Sequence, residues 1–309
     1  MAPRAIAAGR GGRLFRWGAL SPLILAALFL IPVLLLQIYL AFHNWTAYLG
    51  PWWNASFAGL DQFREVFTDR RFMLAIVRSF IFAGLSTLLS VLIGFGLAYL
   101  LQKPFRGQSI YYLFFLIPML TVPVVIGYNF QMLLYQDGPI NQILSLFVPG
   151  DVRTSWLGEP VPAFATMILI ETWNWTPFVM IIMMAGLVSM PREPVEAAQV
   201  LGASRWQIFT SVTLPLLKPV IMLAVILRFL EAFAEFPKFW TITQGGPGTF
   251  TETIPVYLYL ISWEYFNISK AAAMSYVVLF IVGVIIYFAI RILLRQKRSL
   301  DVMFAKAGG

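Results

Sequence analysis

Long apolar runs separated by shorter polar stretches dominate this chain. The hydrocarbon core of a membrane is about 30 Å thick, and a helix needs roughly 20 apolar residues to cross it. Runs of that length recur along the sequence, each bounded by charged residues, glycine or proline. The pattern predicts an all-α membrane protein with six transmembrane helices, over approximately residues 18–41, 75–101, 109–134, 163–188, 213–236 and 271–294.

Composition agrees with this interpretation and excludes several classes of site. Of the 309 residues, 60% are hydrophobic and 12% are charged, whereas a soluble domain has about 25% charged residues. The chain has no cysteine and one histidine, His43. These counts exclude disulfides, cysteine-ligated metals and thiol nucleophiles, and they leave no cluster of histidines for a metal centre. We therefore expect no catalytic site and no metal site.

The Lys and Arg residues indicate how the chain is oriented. Positively charged loops tend to stay in the cytoplasm, and the basic excess falls on four segments that share one side if the N-terminus is inside. The formal charge of +8 is thereby explained without a nucleic-acid partner. We expect a multi-pass membrane protein with both termini in the cytoplasm. The predicted division is a basic N-terminus at 1–17, a six-helix membrane domain at 18–294 and a tail at 295–309, with 102–108 and 189–212 as cytoplasmic loops.

Four arginines before the first apolar run could also belong to a secretory signal peptide. The apolar run from Ala19 to Phe42 is too long for such a signal and lacks a persuasive cleavage site. We therefore interpret it as a retained first span.

The loop after the fourth run contains a short helix pattern. Glycine readily adopts the left-handed geometry that ends helices, so a helix from about Arg192 to Leu201 should stop at Gly202. The motif Glu196-Ala197-Ala198, followed by Gly202, Val212 and Leu214-Pro215, resembles the EAA loop of binding-protein-dependent ABC importer permeases, in which isoleucine is commoner at the position of Val212.

This resemblance implies a type I ABC importer permease fold in the bacterial cytoplasmic (inner) membrane and identifies 189–212 as the coupling loop. Its helix would be the cytoplasmic coupling helix, which lies in a cleft of the ATPase subunit. The contact residues implied are Glu196, Ala197, Ala198 and Gly202. Small alanines permit close approach of a partner, and a carboxylate can form a charge-assisted hydrogen bond with a basic group.

Three further motifs resemble the carbohydrate-uptake branch of this family, which includes maltose and glycerol-3-phosphate permeases. They are Glu-Thr-Trp-Asn-Trp-Thr-Pro at 171–177, Gln-Gly-Gly-Pro-Gly at 244–248 and Ala-Ala-Ala-Met-Ser at 271–275. The resemblance implies an importer of a sugar or polyol and places solute contacts at Asn174, Trp175 and Phe178. The fifth-span asparagines of the maltose permease correspond here to Ala and Glu, so a monosaccharide, disaccharide, polyol or glycerol phosphodiester all remain open.

Ionisable residues inside a span are costly and are candidates for function. The fourth run contains Glu171, and Arg228, Glu231 and Glu235 project from roughly one face of the fifth because they are three and four residues apart. In one interpretation, Glu231 and Glu235 accept hydrogen bonds from solute hydroxyls. In the other, Arg228 and Glu231 form a structural pair and Glu235 lies in water near the outer boundary.

The chain lacks the Gly-x4-Gly-Lys-Ser/Thr phosphate loop, so we expect a transport subunit and not an enzyme. The resemblance implies that partner subunits bind ATP and Mg and that this chain binds no cofactor. The implied partners are a second homologous permease, two ATP-binding subunits, an extracytoplasmic solute-binding protein and membrane lipid. The alternatives are an ion-coupled secondary transporter of a polar solute, with Glu231 and Glu235 as proton carriers, or a membrane enzyme acting on lipid.

Overall fold

In this computed structural model, the backbone is described for residues 10–48, 50–103 and 105–307. Side chains are described for the same residues except 10–20, 23, 24 and 295–307, so no side chain of the basic segment 1–17 or of the tail 295–309 is described. The described chain is mostly helical, as predicted. Its helices are α1 (Arg10–Ala41), α2 (Asp61–Thr68), α3 (Arg70–Leu101), α4 (Gln108–Leu120), α5 (Pro123–Leu133), α6 (Pro139–Ser145), α7 (Pro160–Ser189), α8 (Glu193–Val200), α9 (Arg205–Ile208), α10 (Leu214–Phe233), α11 (Pro237–Ile242), α12 (Ile254–Tyr259) and α13 (Ile268–Ala307).

Four stretches of the described residues are helical, long and apolar enough to cross a membrane. They are α3, α7, the continuous helix from Arg205 to Phe233, which includes a π-helical turn at Phe209–Thr213, and α13 as far as Leu294. A fifth candidate consists of α4 and α5 together. In α1 the described apolar part, Leu25–Ala41, is shorter. The described residues therefore support four to five of the six predicted spans.

The predicted third span is broken. Its two halves, α4 and α5, meet at an angle of 93°. Pro118 lies in the last turn of α4, Thr121 and Val122 are extended, and Pro123 begins α5. Proline lacks a backbone N–H and disfavours helical geometry in the residue before it, which accounts for the break at this point.

The chain divides into two compact units, which are described separately. The first comprises residues 1–68 and 261–277. Within it, a small antiparallel ladder pairs His43 with Phe57. His43 stacks on Tyr39 with ring centroids 3.8 Å apart and contacts the Tyr39 carbonyl oxygen at 2.7 Å. The start of α13 belongs to this unit, where the Ser269 hydroxyl accepts a hydrogen bond of 2.9 Å from the Trp45 amide.

The second unit, residues 69–260 and 278–309, contains the helix bundle. In it, α3 packs along α7, and α10 packs against both. Gly94 of α3 permits this approach, since a Cβ at that position would lie 2.9 Å from the Val179 Cβ and 3.0 Å from the Thr176 carbonyl oxygen. The buried apolar core beside this contact consists of Ala98, Val179, Met180, Met183, Leu187, Leu217 and Ala224.

Polar contacts fix the start of α3 to the segment around α12. The Asp69 carboxylate accepts hydrogen bonds from the Arg71 and Phe72 amides at 2.9 and 3.1 Å, which caps the helix, and from the Tyr257 hydroxyl at 2.8 Å. Burial and the bond to Asp69 raise the pKa of the Tyr257 hydroxyl above its ordinary value, so it stays protonated and keeps donating. Arg71 also pairs with Glu252, its Nε lying 2.7 Å from Oε2. These bonds anchor the segment that follows the motif at 244–248.

Replacing Gly94 with alanine should destabilise the bundle, because the added methyl group forces α3 and α7 apart. Overpacking of this kind costs about 1–3 kcal/mol. Gly96 on the same helix is a matched control, since a Cβ there meets no atom within 4 Å and alanine is the better helix former. Thermal denaturation of the purified protein should give a lower midpoint for Gly94→Ala and an equal or higher one for Gly96→Ala. Equal loss in both would contradict the proposed close contact.

Candidate functional site

Two acids and two bases are buried together in the second unit. Glu171 of α7 and Arg228 of α10 form an ion pair, and Lys238 Nζ of α11 lies 2.7 Å from Glu171 Oε2 and 3.0 Å from Glu235 Oε2. Arg228, Glu171 and Lys238 are each at most 1% exposed, and Glu235 is 9% exposed. We call these four residues the charged cluster. Their formal charges cancel, and this pairing offsets the large cost of taking each charge out of water.

The charged cluster extends to the broken span through Asn174. Lys238 Nζ donates to Asn174 Oδ1 at 2.9 Å, and Asn174 Nδ2 donates to the Pro118 carbonyl oxygen at 2.6 Å. Pro118 stands just before the bend between α4 and α5. The Lys238 ammonium therefore connects α7 with the segment that follows α10. Through the side-chain amide of Asn174, it also connects both with the bend between α4 and α5.

Two aromatic rings lie beside the charged cluster. The Arg228 Cζ is 5.4 Å and the Lys238 Nζ 6.0 Å from the centroid of the Trp175 ring, distances at which cations are attracted to an indole face. Phe178 meets Trp175 edge-on at 5.7 Å. Both rings are half-buried. Trp175 Nε1 is buried and has no hydrogen-bond partner among the described residues.

Glu231 is exposed and lies one turn beyond Arg228 on α10. Arg228 pairs with Glu171 and not with Glu231, so the interpretation of a structural Arg228–Glu231 pair is wrong. The interpretation that placed Glu235 in water is also wrong, because Glu235 is buried against Lys238. The Glu231 carboxylate has no ion pair or hydrogen bond among the described residues, which leaves both carboxylate oxygens free to accept.

The structure thus brings Asn174, Trp175 and Glu235 together around Lys238, with Phe178 against Trp175 and Glu231 on the exposed side. Lys238 itself was missed, because the sequence pattern placed it in the outward segment 237–270. Two features of the sequence could have identified it. Lys238 is a single basic residue in a stretch with aromatic residues on both sides. It also follows Glu235 by three positions, which is the spacing of an ion pair on a helix. The Lys238 amide also donates to Glu235 Oε1 at 3.0 Å.

The helix predicted in the loop 189–212 is present as α8, at Glu193–Val200, one residue shorter at each end than expected. Gly202 has φ +78°, a geometry that costs a residue with a side chain more than it costs glycine. The Ala203 amide donates to the Ala198 carbonyl oxygen at 3.0 Å across this turn. Ser204 and Gln207 then cap α9 reciprocally.

One face of α8 is turned away from the rest of its unit. Val195 and Ala198 are half-buried, whereas Glu196 and Ala197 are exposed. Val200 and Leu201 are each 87% exposed and Trp206 is 70% exposed. Apolar side chains grouped at the surface in this way indicate a site of interaction.

Comparison with known families agrees with the resemblance found in the sequence. Residues 86–299 match the family described as "Binding-protein-dependent transport system inner membrane component". The chain belongs to this family. It is therefore a multi-pass membrane component of a binding-protein-dependent importer, and the assignment made from the motif at 196–215 is confirmed.

Two curated members of the family are similar to most of the chain. The trehalose/maltose transport system permease protein MalF of Thermococcus litoralis is 34% identical over 214 residues, which is 69% of this chain and 70% of the relative. The diacetylchitobiose uptake system permease protein DasB of Streptomyces coelicolor is 30% identical over 302 residues, covering 96% of this chain and 92% of the relative.

Among solved structures, a chain of a bacterial ABC transporter involved in the import of the acidic polysaccharide alginate has the same fold. It superposes with a TM-score of 0.76 over 91% of this chain and 95% of that chain, at 24% identity. This likeness shows that the chain has the fold of an ABC importer component.

Replacing Glu171 with glutamine should strongly destabilise the protein, because it removes the carboxylate that compensates Arg228 and Lys238. Breaking one side of a buried ion pair costs about 3–5 kcal/mol. Glu231→Gln is a matched control, since that carboxylate is exposed and unpaired, and we expect a change of about 0.5 kcal/mol or less. Titration of the purified protein with sodium dodecyl sulfate gives the free energies of unfolding. Similar values for the two variants would mean that the charged cluster contributes little.

Proposed function

We propose that this chain is the permease subunit of an ATP-driven importer that moves a sugar or polyol across the cytoplasmic membrane by alternating access. The observation that carries the solute class is the combination of the half-buried pair Trp175–Phe178 with the unpaired carboxylate of Glu231. Sugar rings present apolar C–H faces between hydroxyls, so they fit an aromatic surface beside a hydrogen-bond acceptor. The family membership and the disaccharide transport named for both curated relatives support the same class.

The five residues predicted from the sequence divide into two roles in this proposal. Trp175, Phe178 and Glu231 contact the solute, since they are exposed or half-buried. Asn174 and Glu235 are buried and bonded to Lys238, so they support the site from behind. The net charge of the charged cluster is zero and Glu231 adds one negative charge, which disfavours phosphorylated solutes.

The proposed topology completes the domain division made from the sequence. Six spans lie within the permease domain 18–294, the basic N-terminus 1–17 and the tail 295–309 are cytoplasmic, and 189–212 forms the coupling loop on the same side. The four to five candidate spans of the described residues support this arrangement. The excess of Lys and Arg in the cytoplasmic segments supports the orientation.

The proposed assembly contains this chain, a second homologous permease, two ATP-binding subunits and an extracytoplasmic solute-binding protein. Membrane lipid contacts the spans of this chain. ATP and Mg are bound by the ATP-binding subunits. In this arrangement α8 is the coupling helix, and Glu196, Ala197, Ala198 and Gly202 meet a cleft of an ATP-binding subunit. Closure of those subunits would move α8 and, through the turn at Gly202, the spans that carry the solute site.

A transport screen tests the solute class. Membrane vesicles containing the complete importer and its binding protein should take up trehalose, maltose or a polyol such as sorbitol only when ATP is supplied. The panel of radiolabelled compounds also includes glycerol-3-phosphate, which is an anion, and methionine, which is an amino acid. Uptake of only the last two would overturn the sugar or polyol assignment, and uptake that persists without ATP but collapses with a proton ionophore would indicate an ion-coupled transporter.

Replacing Glu196 with lysine should abolish ATP-dependent uptake while leaving the amount of protein in the membrane unchanged, because this exposed carboxylate has no partner among the described residues. Glu193→Lys makes the same charge change in the first turn of the same helix and is the matched control. Each lysine would lie near the positive end of the helix dipole and should cost about 0.3–1 kcal/mol of stability. We therefore expect the two variants to be equally stable. Uptake by the Glu196 variant equal to that of the Glu193 variant would contradict the proposed contact.

A further inference from the structure

Lys238 is the residue on which the arrangement behind the solute site depends. An ammonium group has three donors and no acceptor, and the three acceptors around Nζ are Glu171 Oε2, Glu235 Oε2 and Asn174 Oδ1, at 2.7, 3.0 and 2.9 Å. The side chain is 1% exposed. The ammonium is therefore enclosed by two ion pairs and one hydrogen bond, the one it donates to Asn174 Oδ1, and it is buried away from a solute.

These bonds determine how Asn174 and Trp175 are presented. Asn174 Oδ1 accepts a hydrogen bond from Lys238, and its Nδ2 donates one to the Pro118 carbonyl oxygen. Both polar atoms of the side-chain amide are therefore hydrogen-bonded within the protein. Lys238 and Arg228 also both lie within about 6 Å of the Trp175 ring. The indole is thus held against two cations, and the half-buried ring also meets Phe178 edge-on.

We propose that Lys238 is a positioning residue of the solute site: its ammonium holds Asn174 and the Trp175 ring in the orientation that receives the solute, beyond its part in balancing charge. This inference rests on the proposed function. It assigns a role in transport to a residue that does not itself contact the solute, and it predicts that charge balance without Lys238 does not restore transport.

Two substitutions separate positioning from charge balance. Lys238→Met leaves two buried carboxylates facing the single cation Arg228, and we expect poor assembly. The double variant Glu235→Gln with Lys238→Met keeps the Glu171–Arg228 pair and a neutral interior, and we expect it to assemble at the level of the wild type. The single variant Glu235→Gln keeps the Lys238 ammonium beside Glu171 and Asn174. Its transport per ATP should therefore be closer to that of the wild type than the transport per ATP of the double variant is. Lys103→Met, at an exposed position, is the control for loss of a lysine.

The first measurement follows transport per ATP in the complete reconstituted importer with its binding protein, using radiolabelled trehalose and maltose. We expect the double variant to hydrolyse ATP in response to the loaded binding protein but to move about tenfold less solute per ATP, the factor typical of losing a charge-assisted hydrogen bond. A merely structural role would lower uptake and hydrolysis together. A ratio within about twofold of the wild type would overturn the proposal.

The second measurement needs no solute. Because the chain has no cysteine, Phe178→Cys introduces a single thiol beside Trp175, and its rate of reaction with a maleimide reports on the ring that covers it. We expect the rate to change by about tenfold when the double variant is added and to stay constant with Lys103→Met; an unchanged rate with the double variant would overturn the proposal. If the wild-type importer takes up no sugar or polyol of the uptake panel, the sugar or polyol assignment fails, and the thiol rates still decide the role of Lys238.

Discussion

The pairing of four buried charges constrains the bundle more than any other interaction in it. Glu171, Arg228, Glu235 and Lys238 come from three helices and one connecting segment, and none of them tolerates burial alone. Their mutual neutralisation fixes α7, α10 and α11 at one point. Through Asn174 the same network reaches Pro118, so the bend of the third span is held there as well.

This constraint also explains the chemistry that the bundle offers on its accessible side. With the buried carboxylates occupied by Arg228 and Lys238, the exposed carboxylate of Glu231 on α10 is left as an acceptor without an ion pair among the described residues. A site built from two aromatic rings and one acceptor suits an uncharged polyhydroxy solute. The proposed coupling segment lies in a different part of the chain, where α8 exposes Glu196 and Ala197 and the turn at Gly202 connects it to α9 and α10. The proposed solute site and the proposed contact with the ATPase therefore belong to separate elements.

The sequence predicted the features that depend on local pattern. Apolar run length predicted the four to five candidate spans of the described residues, and the motif ending at Gly202 predicted α8 to within one residue at each end. It failed where a partner is distant in sequence: Arg228 and Glu171 are 57 residues apart, and Lys238 and Asn174 are 64 apart. Helical spacing made Glu231 the expected partner of Arg228, because periodicity reports neighbours on one helix and not those across a bundle. It also placed Lys238 in an outward loop, since a charge beyond an apolar run is ordinarily solvated.

The most direct test of the account is a cryo-electron microscopy structure of the complete importer captured with its solute inside the membrane. The account predicts solute density against Trp175 and Phe178, a solute hydroxyl within about 2.6–3.2 Å of a Glu231 carboxylate oxygen, and Lys238 still bonded to Glu171 and Asn174. Density for the solute at another place in this chain, or a Lys238 ammonium that leaves Glu171 to bind the solute, would contradict it.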